Sequence, residues 1–192
     1  NMLFIVQDPY TSYYDAKVVR DFVVLTQKLG FEPILLPFKP NGKAMHIKGF
    51  LTRFSKTAKT QAEFLNRVAK LNVPLVGVDP AIVLSYRDEY KEVLGDSRGD
   101  FHVLTAHEWL TNQLESNALQ SAVKNIAKSD CNFEWHLFPH CTESTFMPNS
   151  PKEWQNIFAQ FGQTLKVEKV GCCGMAGVFG HEVKNQTMSK DI

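Results

Sequence analysis

Three of the four cysteines of this sequence sit in two short segments with unusual neighbours. Phe138-Pro139-His140-Cys141-Thr142-Glu143-Ser144 sets a thiol beside an imidazole. Gly171-Cys172-Cys173-Gly174-Met175-Ala176-Gly177-Val178-Phe179-Gly180-His181-Glu182 sets two adjacent thiols among four glycines. Thiolates converging on one point are soft ligands, suited to iron–sulfur clusters or zinc. The glycines let the backbone wrap tightly and aim its N–H groups inward, where they stabilise thiolate and inorganic sulfide. Vicinal cysteines rarely bridge each other, because the ring is strained, and a disulfide scaffold of this size would use more cysteines, more evenly spaced. Metal or redox chemistry in a reducing compartment is therefore the expectation for Cys172-Cys173. Cys131 reads as a plain core or loop thiol.

The other candidate residues have weaker patterns. His140 is either a ligand or donor at the thiol site or a packing histidine. His181 and Glu182 either gate protons or cap the next helix. His46, His102, His107 and His136 have no partner pattern and read as structural. Lys39, Lys43 and Lys48 with His46 make a basic loop, read first as a solvated loop and second as an anion site. No phosphate loop, dinucleotide fingerprint or Ser-His-Asp arrangement is present.

These segments need elements to hold them, and strand and helix signals alternate along the chain. Apolar runs at Leu3–Val6, Phe31–Phe38 and Val73–Val78 read as strands, ending at Asp8-Pro9, Pro40-Asn41-Gly42 and Asp79-Pro80. Two further strands are expected at Phe133–Phe138 and Leu165–Val170. Helical spacing marks Tyr14–Leu29, closed by Gly30, Thr57–Leu71, residues 81–95, Thr105–Leu114 and roughly 117–128. Ser150–Phe161, closed by Gly162, completes the set. Asp100–Leu104 reads as a short extended link. Alternation at this pitch predicts an α/β fold with parallel strands and helices on both faces, its functional groups in loops at the carboxyl ends of strands. That placement would bring Cys141 beside Cys172 and Cys173, although 30 residues lie between.

A repeat lies within this pattern. A shift of 132 residues, the separation of Gly30 and Gly162, superposes helix ends, strand ends and the glycine after the cysteine pair. Asp8-Pro9 falls on His140-Cys141, and Pro40-Asn41-Gly42 on Cys172-Cys173-Gly174. The chain thus reads as two pseudo-repeated βαβ-type halves. Residues 1–100 form a first half without thiols, 101–130 a helical connection and 131–192 a second half. The third strand of the first half would have its counterpart near position 210, so the second half is expected to continue past Ile192.

Composition bounds what remains. Across 192 residues Lys plus Arg number 21 and Asp plus Glu 20, a net charge of +1 that supplies no basic field for nucleic acid. Hydrophobic residues make up 44%, enough for a sizeable core and too many for a disordered chain. No apolar run approaches the roughly 20 residues that span a bilayer, and the first residues lack the flank and cleavage site of a signal peptide.

The segments 139–143 and 171–182 resemble the cysteine-rich CCG domain. Such domains occur in the heterodisulfide reductase B subunit, the glycolate oxidase iron–sulfur subunit and the anaerobic glycerol-3-phosphate dehydrogenase C subunit. The nearest resemblance is to the C-terminal region of bacterial FAD-linked dehydrogenases of D-lactate or D-2-hydroxyglutarate. It extends over the whole chain, with the specific motif confined to 139–182. It implies that Cys141, Cys172 and Cys173 ligate a metal centre, a 4Fe–4S-type cluster or zinc, with Gly171, Gly174, Gly177, His140 and His181 lining it. The family's distal ligand would lie beyond Ile192. In the first half Pro9, Pro40 and Asn41 stand where the thiols should be, so that half implies a structural partner. The resemblance further implies a FAD-binding and a ferredoxin-like module on the same polypeptide, and a quinone or other electron acceptor. The expected location is cytoplasmic, either free or peripheral on the inner face of the membrane. Two alternatives stay open: a zinc-stabilised docking module without redox function, and a thiol–disulfide relay between Cys172-Cys173 and Cys141.

Overall fold

The run Leu3-Phe4-Ile5-Val6 is the buried part of β1 (Met2–Val6), and burial on both faces explains why it is apolar without alternation. In the computed structural model, which describes residues 1–115, 119–126 and 133–192, β1 is a central strand. It pairs in parallel with β2 (Glu32–Leu35) on one edge and β3 (Leu75–Gly77) on the other, and β4 (Val103–Thr105) extends the sheet beyond β3. The order is β2-β1-β3-β4. A second, two-stranded parallel sheet joins β5 (Glu134–Leu137) to β6 (Thr164–Val167). The chain is an α/β protein with parallel strands.

Helices fill the connections: α1 (Pro9–Tyr13) and α2 (Ala16–Lys28) follow β1; α3 (Lys43–Ile47) and α4 (Leu51–Ala69) follow β2. After β3 come α5 (Pro80–Arg87) and α6 (Glu89–Leu94), and after β4 come α7 (Ala106–Glu115) and α8 (Gln120–Ile126). The second sheet carries α9 (Cys141–Phe146), α10 (Ser150–Gln160) and α11 (Gln186–Lys190). Alternate residues of β1 enter opposite cores. Phe4 and Val6 pack with Phe54, Leu65, Tyr86 and Tyr90 of α4, α5 and α6. Leu3 and Ile5 pack with Val19, Phe22, Trp109 and Ile157 of α2, α7 and α10. This is the two-residue period of a strand read out in three dimensions. Ile157 comes from the second half, so the two halves share one core.

The repeat holds to the residue. Met2↔Glu32 through Ile5↔Leu35 in the first pair becomes Glu134↔Thr164 through Leu137↔Val167 in the second, every position shifted by 132. Gly42 and Gly174 coincide as well, at φ 81° and 74°, and both are crowded. A Cβ at Gly42 would stand 2.9 Å from Phe54 Cδ2, and one at Gly174 would collide with the Ser189 carbonyl. Left-handed backbone and absent space both require glycine there.

Three expectations are corrected. Residues 103–105, within or beside the expected link, are strand β4, recruited by pairing with β3 rather than by any local pattern. The helix at 81–95 divides at Asp88 into α5 and α6, followed by a 3-10 turn at Gly95–Arg98. The helix expected from Thr57 begins at Leu51, because Phe54 already faces the core while its neighbours do not. Cys131 and parts of the helix expected over 117–128 lie outside the described residues. Among the described residues no helix is long and apolar enough to cross a membrane.

Gly77 of β3 tests the closeness of this packing. A methyl group there would collide with Val83 Cγ2 of α5. Gly77→Ala should lower unfolding stability by about 1–3 kcal/mol, measured by urea denaturation.

Candidate functional site

Parallel strands send their carboxyl ends to one edge, and five strand-end loops meet around a cleft of about 500 Å³. The first half contributes Tyr10, Lys43, Ile47, Asp79, Ala81 and Ile82. The second contributes His140, Cys141, Thr142, Cys173, Ala176 and His181, with Met175 and Gly177 completing the wall. Two pairs of equivalent positions, Tyr10 with Thr142 and Lys43 with Met175, thus face the same space with different chemistry.

Cys141 is the first residue of α9, held there by extended backbone at His140. Cys173 lies in the glycine loop after β6, and both thiols are free and exposed. Cys172 is also free, but it is not part of the lining: its Sγ accepts the Gly174 N–H at 3.4 Å. Two close contacts hold the glycine loop at its glycines. Ser189 Oγ donates to the Gly174 carbonyl at 2.8 Å, and Gly177 approaches Ile47 so closely that a Cβ would strike it. Gly171 has no neighbour within 4 Å of where a Cβ would stand, and it is not part of the cleft wall. His181 lies at the rim with its ring stacked on Tyr14 at 6.1 Å.

Of the three thiols expected together, Cys141 and Cys173 line one cleft and Cys172 does not. Among the described residues, no three His, Cys, Asp or Glu side chains gather into one metal-binding group. Two thiols share the cleft and the third stands next to it in sequence. Three free thiols, Cys141, Cys172 and Cys173, lie at this edge, donors of the type a thiolate-bound centre uses; a cubane cluster takes four such ligands.

The basic loop is not a free cationic patch. Lys43 is paired with Glu89 across the first half, Lys48 with Glu182 at 2.6 Å across the two halves, and Lys39 lies over the Phe64 ring. Lys48, then Lys184, holds the Glu182 carboxyl below its ordinary range, so Glu182 fastens the glycine loop to the first half.

Two cleft residues were not anticipated as site residues. Asp79 caps α5, accepting the Ile82 N–H at 2.9 Å. Burial pushes its carboxyl up, and the neighbouring Asp8 adds to the rise against the opposing pull of the Ile82 amide and of His140. Tyr10 is likewise raised, by burial first and then by Asp79. Asp8, equivalent to His140, is 2% exposed and accepts from the Tyr10 and Thr11 amides at 2.8 and 2.9 Å. Asp-Pro at a strand end reads locally as a turn with a helix cap, so nothing in the sequence marks which cap faces a cleft.

Beneath the cleft lies a polar contact between the halves. His107, 1% exposed, has Nδ1 3.2 Å from Glu143 of α9 and Nε2 3.2 Å from Glu153 of α10. Thr105 Oγ1 lies 3.0 Å from the same Nδ1, and Trp154 Nε1 donates to Glu143 at 3.3 Å. His107, without a partner pattern in sequence, is a structural link to the helix that begins with Cys141.

The chain is similar over all its 192 residues to D-2-hydroxyglutarate dehydrogenase of Haemophilus influenzae, at 79% identity, covering 19% of that protein. It is 58% identical over 190 residues to the protein of the same name from Escherichia coli K12, covering 18% of it. A distant likeness, 25% over 194 aligned residues, is to the C subunit of anaerobic glycerol-3-phosphate dehydrogenase from E. coli K12, of which the chain covers 46%. The chain thus spans about a fifth of the length of the first two relatives. No family model matches the chain, and no solved structure matches it.

The Asp79 shift has a consequence for stability. Folding raises this pKa, so the native state holds the proton more tightly than the unfolded chain does. The contribution is full below the ordinary aspartate value of about 3.9 and is lost as pH rises through the folded value. Asp79→Asn keeps an oxygen for the Ile82 amide but has no charge to desolvate. Thermal midpoints between pH 4 and 7 should show the variant gaining on the wild type as pH rises; a constant difference would refute the assignment.

Proposed function

We propose that this chain is the cysteine-bearing electron-transfer module of a longer, FAD-linked dehydrogenase that oxidises a 2-hydroxyacid, D-2-hydroxyglutarate first and D-lactate second. The observation that carries the reading is Cys141 and Cys173 lining one cleft at the carboxyl ends of β5 and β6, with Cys172 adjacent. The similarity of the whole chain to a fifth of proteins named for that substrate supports it.

In this reading Cys141, Cys172 and Cys173 would hold an iron–sulfur centre, a fourth ligand coming from outside this trio. The bound centre supplies single-electron transfer between the flavin module and a quinone or other acceptor, with the ferredoxin-like module on the same path. The chain's own residues set the conditions. The Gly174 N–H donates to Cys172 Sγ and fixes where that sulfur sits. Tyr10, Ile47, Ile82 and Met175 give the cleft an apolar wall that lowers the polarity around the thiols. Burial of Asp79 in the same cleft disfavours its charged form. Gly177, His140 and His181 border the centre. Free thiols of this kind suit a reducing compartment, the cytoplasm.

A second reading is a zinc-stabilised docking module of the same enzyme. It is favoured by the first half, where Pro9, Pro40 and Asn41 occupy the positions equivalent to the three cysteines.

Anaerobic metal and acid-labile sulfide analysis of the intact protein separates the two. Iron with sulfide, beyond what a ferredoxin-like module holds and lost in a Cys141→Ser, Cys172→Ser, Cys173→Ser variant, is the expected result. Iron unchanged by the substitutions, or zinc in its place, overturns the electron-transfer reading.

A further inference from the structure

β1 and β5 are equivalent strands with unequal surroundings. Their registers coincide under the 132-residue shift, and so do their hydrogen bonds: Leu36 N–H donates to the Ile5 carbonyl at 3.0 Å, and Glu168 N–H to the Leu137 carbonyl at 2.9 Å. β1, however, is paired on both edges and β5, among the described residues, only with β6. Phe4 N–H reaches away from β2 to the Pro74 carbonyl at 2.9 Å. The same parity turns the His136 and Phe138 amides toward the open edge of β5.

The side chains record the same difference. Leu3 and Val6 are 0% and 5% exposed, whereas their equivalents Trp135 and Phe138 are 45% and 66% exposed. Trp135 borders an apolar groove of about 600 Å³ with Trp154, Phe158 and Phe161. A two-stranded parallel sheet with an apolar open edge is not a stable end state, because parallel sheets are buried on both faces and edges left open invite pairing.

We propose that the open edge of β5 receives one further strand, parallel to β5 and apolar, supplied by the same polypeptide outside these 192 residues. Length supports that source, since the chain makes up only 19% of the relative from Haemophilus influenzae. Geometry supports the direction. On the equivalent edge of β1, β3 runs parallel and ends at Asp79, whose helix α5 lines the cleft. A parallel strand beside β5 would likewise end next to His140 and Cys141 and deliver a side chain to the thiols. A second copy related by a two-fold axis would instead pair β5 with itself antiparallel, and would bring no strand end to the cleft.

The inference rests on the reading of this chain as part of a longer protein, and not on which centre the thiols hold. The test is residue-resolved hydrogen–deuterium exchange on the intact longer protein, with β1 as internal standard. The His136 and Phe138 amides should exchange roughly 100-fold or more slower than unpaired amides, matching Phe4 and Val6. Fast exchange at both positions while Leu137 stays protected overturns the proposal. Protection that vanishes on dilution to a monomer overturns it too, in favour of a second copy. Metal and sulfide content, read on the same sample, reports separately on the electron-transfer reading.

Discussion

Parallel strand pairing is the constraint from which the rest of this structure follows. Among the described residues all four strand pairs are parallel, so within each sheet the strands release their chains at one edge. Parallel neighbours also need a crossover between them, and those crossovers are the helices that bury both faces of β1. Tyr10, Lys43 and Asp79 reach the cleft from the first half for this reason, and Cys141 and Cys173 from the second. The cleft is thus a by-product of topology before any residue in it does chemistry.

Holding the two rims together falls to contacts between the halves. Ile157 of α10 enters the core of the first sheet beside Trp109, which stacks edge-on with Phe22 and Phe31. His107 reaches the buried Glu143 and the partly exposed Glu153, and removing Glu143 would leave the buried imidazole short of a partner at a high cost. Above them the Lys48–Glu182 pair and the Ile47–Gly177 contact fasten the glycine loop to α3. The ties at Glu143 and Gly177 end two residues from Cys141 and four from Cys173, so the relative placement of the halves bears directly on the shape of the thiol site.

Duplicated backbone with divergent side chains gives the cleft two chemical walls. Where the second half has His140-Cys141 and Cys172-Cys173, the first has Asp8-Pro9 and Pro40-Asn41. Asn41 keeps an architectural task, its carbonyl accepting from the buried Tyr90 hydroxyl at 2.6 Å. The first half brings carboxyl and phenol groups whose charged forms are disfavoured by burial.

Much of this was legible in the residues alone. The apolar run of β1, the glycines closing α2 and α10, the 132-residue repeat and the cysteine–glycine segment are local features, set by side-chain period and backbone conformation over a few neighbours. β4 was not legible, because three residues carry no period of their own and become strand only through β3. Nor was the partnering of Lys43 and Lys48, which a local reading leaves in solvent, or the burial of His107. The membership of Asp79 and Tyr10 in the cleft was equally hidden, since a capping aspartate looks the same wherever its helix points. Local chemistry settles which segments are strand or helix and which residue types stand at their ends. Which of those ends face one another is settled only when the chain folds, because burial and electrostatic partnership depend on groups far apart in the chain and close together in space.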